Sequence, residues 1–172
     1  MIVAISGAGT MGHALALVHA LGGCEVRLQD QSEEALGIAR KRISIAYNLL
    51  VEEGMVSSTQ ADPLTHILTT TCLEDALVAA DLFIETVTED IEVKKTVYAL
   101  ADAAAPEHTI FASNTSHLDV FPLIPDRRLP RAFAVHWYSP PYVIDLVDIA
   151  PSPVAIPALA DQLVLMYGHL DF

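Results

Sequence analysis

Short apolar runs alternate with helical periodicities along the chain. Ile2-Val3-Ala4-Ile5 is continuously apolar and soon reaches glycine, the mark of a strand buried on both faces. Met11, Leu15, Val18 and Leu21 recur at helical spacing over 11–21, and Glu25-Val26-Arg27-Leu28-Gln29 alternates as a second strand ending at Asp30. Ser32 predicts an N-cap, with Glu33 and Glu34 in a first turn where acids are favoured. The helix it opens carries Leu36, Ile43, Tyr47 and Leu50 on one face and stops at Gly54. Ile67-Leu68 marks a short third strand, and Leu82-Phe83-Ile84 a stronger one ending at Glu85. A helix from about Ile91 presents Val93, Val97 and Leu100 and is stopped by Pro106. Thr109 to Ala112 and Arg131 to Val135 read as further strands, the second with His136 at its carboxyl end. Val143 to Ile149 predicts another strand and residues 154–167 a last helix, while Pro122 to Pro130 reads as a surface connection.

Strands separated by helices predict an α/β fold: a doubly wound, mostly parallel sheet with helices on both faces. Ligands of such sheets sit beyond the carboxyl ends of the strands. The residues that fall there are Gly7 to Gly12, Asp30, Glu85, Ser113 to Ser116 and His136.

Composition narrows the function. A length of 172 residues suits one domain, or one plus a fragment, and a 52% hydrophobic fraction supports a real core. The net charge of −13 argues against nucleic acid and against an anionic membrane surface as partners. Residues 1–24 contain no charged side chain, which a hydropathy scan would take for a membrane helix or signal peptide. A basic leading segment is missing, and Gly7, Gly9, Gly12, Gly22 and Gly23 interrupt the run, so a buried strand–turn–helix explains it better. Cys24 and Cys72 make no disulfide framework and fit a reducing, cytoplasmic setting as small buried hydrophobes. His13, His19, His66, His108, His117 and His169 form no spaced ligand set, so no metal is expected.

Gly7-Ala8-Gly9-Thr10-Met11-Gly12 fits G-x-G-x-x-G. It follows the first strand, opens a helix and is followed by Asp30, the context that makes the motif a Rossmann-type dinucleotide signature. Gly7 permits the tight turn, Gly9 lets a pyrophosphate approach the backbone, and Gly12 lets helix and strand pack closely. The amides at Thr10 and Met11 lie where the helix dipole favours phosphate. Asp30 would accept hydrogen bonds from ribose hydroxyls and repel a 2′-phosphate, so the expected cofactor is NAD rather than NADP.

The chain resembles the 3-hydroxyacyl-CoA dehydrogenase family. The resemblance runs through Gly7 to Gly12, Asp30-Gln31, Glu85-Thr86-Val87-Thr88-Glu89 with Val93-Lys94, Ser113-Asn114-Thr115-Ser116, and His136-Trp137-Tyr138-Ser139-Pro140-Pro141 leading to Leu146-Val147-Asp148. It implies an NAD-binding domain and an oxidoreductase of fatty acid metabolism. His136 would be the catalytic base, Asp148 its orienting acid in place of the family's glutamate, and Ser116 the contact to the substrate oxygen. Glu89 and Lys94 would be cofactor-side contacts, and Ser139 would stand near the nicotinamide where the family has asparagine. The implied substrate is a 3-hydroxyacyl-CoA, for which Arg40, Lys41 and Arg42 are available on the second helix. Pro140-Pro141-Tyr142 also resembles relatives that oxidise free hydroxy acids, such as L-gulonate 3-dehydrogenase. Asp148 and Ser139 leave a catalytically silent NAD-binding module as a further alternative. Residues 1–172 are expected to be the cofactor domain, stopping before a last strand and before the helical domain that supplies the family's dimer interface. A homodimer is expected only where that domain is present.

Overall fold

The computed structural model describes residues 1–57 and 62–168. The chain runs β1 (Ile2–Ser6), α1 (Thr10–Leu21), β2 (Glu25–Gln29), α2 (Glu33–Glu52), β3 (Ile67–Thr70), α3 (Leu73–Leu77), β4 (Leu82–Glu85), α4 (Ile91–Ala104), β5 (Ile110–Ser113), β6 (Ala132–Trp137), β7 (Val147–Pro151) and α5 (Pro157–Tyr167). The seven strands form one sheet in the order β3-β2-β1-β4-β5-β6-β7. β1 lies between β2 and β4, so the winding reverses there and opens a crevice at its carboxyl end.

Alternation along the strands sorts the core into two layers. Val3, Ile5, Val26, Leu28, Ile84 and Val135 face α1, α2 and α5. Ala4, Phe83, Phe111 and Ala132 face α3 and α4. Because both faces are covered, the strands read as apolar runs. α2 begins where Ser32 predicts: its hydroxyl accepts from the Ala35 amide at 3.2 Å. α4 is opened by Asp90, whose carboxylate accepts from the Glu92 and Val93 amides.

Four expectations are corrected. The last strand begins at Val147, not Val143, and runs antiparallel to β6. No helix separates the two strands, and the amides of Val143 and Ile144 instead turn back onto the Pro140 carbonyl. α4 buries Lys94, Val97, Tyr98 and Ala101, whereas Val93 and Leu100 stay partly exposed. The expected apolar stripe is therefore rotated toward the crevice. The connection Pro122–Pro130 is pinned from within: Arg128 is buried, donates to Asp102 Oδ1 at 2.8 Å and to the carbonyls of Asp102, Ala105 and Pro106, and lies over the Phe111 ring. Cys24 is buried, but Cys72 is only half-buried and its thiol donates to Glu74.

Candidate functional site

The turn after β1 leaves no room for side chains. Gly7 adopts φ +100°, and a Cβ there would stand 2.8 Å from the Thr86 carbonyl oxygen. A Cβ on Gly12 would come within 1.7 Å of the Gly7 carbonyl oxygen, so α1 can start here only with glycine at that position. Gly9 is different: a Cβ on it would meet nothing within 4 Å. The protein itself does not need Gly9 bare; the space beyond it does. Thr10 opens α1 with no side-chain cap and no acid in the first turn, leaving amides directed at that space.

The loop is fastened to its neighbours. Thr86 Oγ1 donates to the carbonyls of Ser6 and Gly7, and the Gly7 amide donates to the Gln29 carbonyl at 2.8 Å. Asp30 Oδ2 accepts from the Ala8 amide at 2.8 Å and Oδ1 from the Ser32 amide at 3.0 Å. Each carboxylate oxygen keeps a second lone-pair direction, and Asp30 lines the cavity below.

That cavity measures about 660 Å³ and runs from Gly7, Gly9 and Asp30 to Thr71 and Glu74 on one wall and to Val93, Val97 and Leu100 on the other. The residues present fit NAD. Bare backbone at Gly9 and uncapped amides would take the diphosphate, Asp30 the ribose, and the apolar wall from α4 a flat ring. Thr10, Met11 and Gly12 form the first turn directly after Gly9 and do not themselves line the cavity wall.

The expected catalytic residues stand farther along the same sheet edge. His136 lies near the carboxyl end of β6, and Ser116 lies three residues past the end of β5. Among these residues the structure assembles a buried polar network. Glu85 and Lys94 are 0% and 1% exposed and meet at 2.8 Å. Tyr98 Oη and Ser113 Oγ donate to Glu85 Oε2, each at 2.7 Å, and the Val87 amide donates to Oε1. Lys94 Nζ also reaches Glu89 at 3.1 Å, and Glu89 accepts from Thr115 Oγ1 and the Ser116 amide. Partial burial would raise the Glu89 carboxyl, but the Ser116 amide, Lys94 and Thr115 hold it below the usual carboxylate range. Lys94, expected as a cofactor-side contact, has its ammonium enclosed by the carboxylates of Glu85 and Glu89.

His136 and Asp148 stand opposite each other across the β6–β7 ladder. Nδ1 is nonetheless 4.0 Å from Oδ2, longer than a hydrogen bond. Tyr138 takes that same oxygen, donating at 2.9 Å, and its ring lies 4.8 Å from the imidazole. The hydrogen bond to Asp148, then the carboxylate's charge, raises the Tyr138 phenol above its usual value. Ser139 is exposed beside Pro140. The structure thus brings His136 and Asp148 to one register without joining them.

Residues 2–171 match the family model of the 3-hydroxyacyl-CoA dehydrogenase NAD-binding domain. The chain belongs to that family. Mitochondrial hydroxyacyl-coenzyme A dehydrogenase of Sus scrofa is 30% identical over 169 residues, which are 94% of this chain and 54% of that protein. The 5-formyl-3-hydroxy-2-methylpyridine 4-carboxylate 5-dehydrogenase of Mesorhizobium japonicum is 33% identical over 160 residues, 89% of this chain and 51% of that one. The solved structure of 3-hydroxybutyryl-CoA dehydrogenase from Escherichia coli K12 superposes with a TM-score of 0.89 at 31% identity, covering 98% of this chain and 36% of its own. The chain thus spans about half the length, or less, of the relatives it matches.

Two features of this NAD-binding domain escape a reading of its motifs. Gln29 is buried and clamps the crevice floor, accepting from Ser6 Oγ at 2.8 Å and donating to the Thr71 carbonyl. Its signal is weak: in an alternating strand it is one more polar position after Glu25 and Arg27. Tyr138 had a better signal, because two residues beyond His136 it returns to the same face of the strand. Among the described residues no group of three His, Cys, Asp or Glu is gathered for a metal, and no helix is long and apolar enough to cross a membrane.

Proposed function

We propose that this chain is the cofactor-binding part of an NAD-dependent dehydrogenase that oxidises the hydroxyl of a 3-hydroxyacyl-CoA. The observation that carries it is the bare, uncapped loop at Gly9 opening onto a cavity whose rim bears Asp30. NAD, when bound, supplies the acceptor for the hydride. The chain's own residues do the rest. The amides of Thr10 and Met11 hold the diphosphate and Asp30 the ribose. Glu89 fixes the Ser116 backbone, so that the Ser116 hydroxyl can orient the substrate oxygen. His136 takes the hydroxyl proton on Nε2, since Nδ1 is the nitrogen turned toward Asp148. Ser139 would stand near the nicotinamide. Exposed Val143, Leu146, Val164 and Leu165 support a covering helical domain, which would exclude water from the cleft and carry any dimer interface. Free Cys24 and Cys72 accord with a cytoplasmic setting.

A free hydroxy acid is the second reading, favoured by the likeness to the Mesorhizobium japonicum enzyme, whose name specifies a pyridine carboxylate rather than a thioester. Titration with NADH, followed by its fluorescence, tests the common core. Saturable binding is expected, and Asp30→Ala should weaken it by about 1–3 kcal/mol, the cost of leaving buried polar groups unpaired. Absence of saturable binding overturns the proposal. Turnover of 3-hydroxybutyryl-CoA set against a panel of free 3-hydroxy acids, each abolished by His136→Ala, separates the two substrate classes. Binding without any turnover identifies a silent module.

A further inference from the structure

Among the described residues, three buried side-chain polar atoms have no hydrogen-bond partner, and they belong to one cluster. His19 Nε2, Trp137 Nε1 and Tyr167 Oη come from α1, β6 and α5. The rings are mutual neighbours, with centroids 5.0 Å apart for Trp137–Tyr167, 5.9 Å for His19–Tyr167 and 6.2 Å for His19–Trp137. All three pairs meet edge to face. A dry core tolerates such atoms poorly unless they satisfy one another.

Their chemistry permits one complete order. His19 Nδ1 lies 2.7 Å from the Leu15 carbonyl oxygen, which can only accept, so Nδ1 carries the proton and Nε2 offers a lone pair. The indole N–H can only donate, and the phenol can do both. If the indole donated to His19, the phenol proton would have no acceptor in the cluster. Indole to phenol to imidazole satisfies every member. Burial, the largest influence, raises the Tyr167 phenol, while the neighbouring indole N–H opposes that rise, as a donor to the phenol oxygen would.

Position gives this order a consequence. Phe133, Val135 and Trp137 face the α1 and α5 side of β6. His136 projects from the other face and is 28% exposed. The Trp137 amide donates to Asn114 Oδ1 at 3.1 Å, so the backbone beside His136 is tied to the β5 side. The Trp137 side chain is what ties it to the helices.

We propose that Trp137 Nε1–H donates to Tyr167 Oη, Tyr167 O–H to His19 Nε2 and His19 Nδ1–H to Leu15 O, and that this relay positions His136 by locking the end of β6 to α1 and α5. His19 and Tyr167 are then positioning residues that never touch substrate. The positioning half rests on His136 being the base.

Nuclear magnetic resonance on the ¹⁵N-labelled chain tests it, helped by Trp137 being the sole tryptophan. His19 is expected as the neutral Nδ1–H tautomer, with an Nε2 resonance displaced toward the hydrogen-bonded range. Tyr167→Phe should return that resonance toward the free value and speed exchange of the indole proton about five- to tenfold. It should also displace the imidazole ¹⁵N resonances of His136, which faces Asp148 and Tyr138. An Nε2–H tautomer in the wild type overturns the relay whether or not the variant folds. So do His19 and indole signals indifferent to Tyr167→Phe. If those signals respond while the His136 resonances stay put, the positioning role is overturned. NADH affinity should be unchanged in Tyr167→Phe, because the Gly7–Gly12 loop and Asp30 take no part in the relay. Failure of the wild type to bind NADH would count against the proposed function and leave the relay signals interpretable.

Discussion

At the carboxyl end of β4, Glu85 receives Lys94, Tyr98, Ser113 and the Val87 amide and is fully buried. At the carboxyl end of β6, His136 meets Asp148 only at 4.0 Å, and that aspartate is 65% exposed and held by Tyr138. The two places lie on one edge of one sheet yet differ in how much of their geometry is determined. The loop around Gly7 and Gly12 and the network behind Glu89 are set by backbone contacts and saturated hydrogen bonds. The histidine and its acid depend on the rotamers of a partly exposed imidazole and an exposed carboxylate. The cofactor loop is therefore the part this chain's own packing secures, and the pairing of His136 with Asp148 is the part left open to adjustment.

Removing the cation from the tight side should have the largest effect. Lys94→Met leaves Glu85 buried without its countercharge, and loss of one partner of such a pair costs about 3–5 kcal/mol. Urea unfolding reads this directly. Adding Glu85→Gln should restore a substantial part, because the stranded charge is gone. A loss below about 1 kcal/mol in the single variant would mean that the enclosure of Glu85 relaxes and admits water.

The next effect is in acid stability and comes from α1. Burial is the main cause that lowers the His19 imidazole, to about 4 from 6.5, against the opposing bond to Leu15. His13 is lowered too, chiefly by burial. A histidine depressed in the folded state binds protons more readily when unfolded. Its stability contribution is thus complete above about pH 6.5 and is lost as pH falls toward 4. For His19 the loss approaches about 3 kcal/mol at the acid end. Unfolding free energies measured from pH 7 to pH 4 should fall accordingly, and His19→Phe should flatten the profile. An unchanged profile would show that His19 is not buried neutral.

How much of this was legible in the sequence follows the same division. The dinucleotide loop was readable because glycine is demanded by collisions that local context reveals: strand, turn, helix, acid. β1 and β4 were readable because their apolar runs are short and ended by polar residues, and β2 because it alternates. α3 was not, since five residues carry too little periodicity. The rotated face of α4 was hidden because Lys94 is charged yet buried, which the placement of Glu85 at the end of β4, against α4, explains. The start of β7 was misjudged because Val143, Ile144 and Leu146 are apolar but exposed. Periodicity predicts burial within a domain and says nothing of apolar residues left on its surface.

The smallest effect asks whether the loose side can be tightened. Asp148→Glu lengthens the acid by one methylene and should bring it within hydrogen-bond reach of Nδ1. Tyr138→Phe should act in the same direction by releasing Oδ2 from the phenol. Each change strengthens an acid's hold on the imidazole. Because the aspartate is largely solvent-exposed, the gain is limited to about 0.2–1 kcal/mol. Nuclear magnetic resonance reads it: the Nδ1 proton of His136 should exchange with water more slowly in both variants than in the wild type. If neither variant slows that exchange, Asp148 is a solvated strand end that does not orient His136.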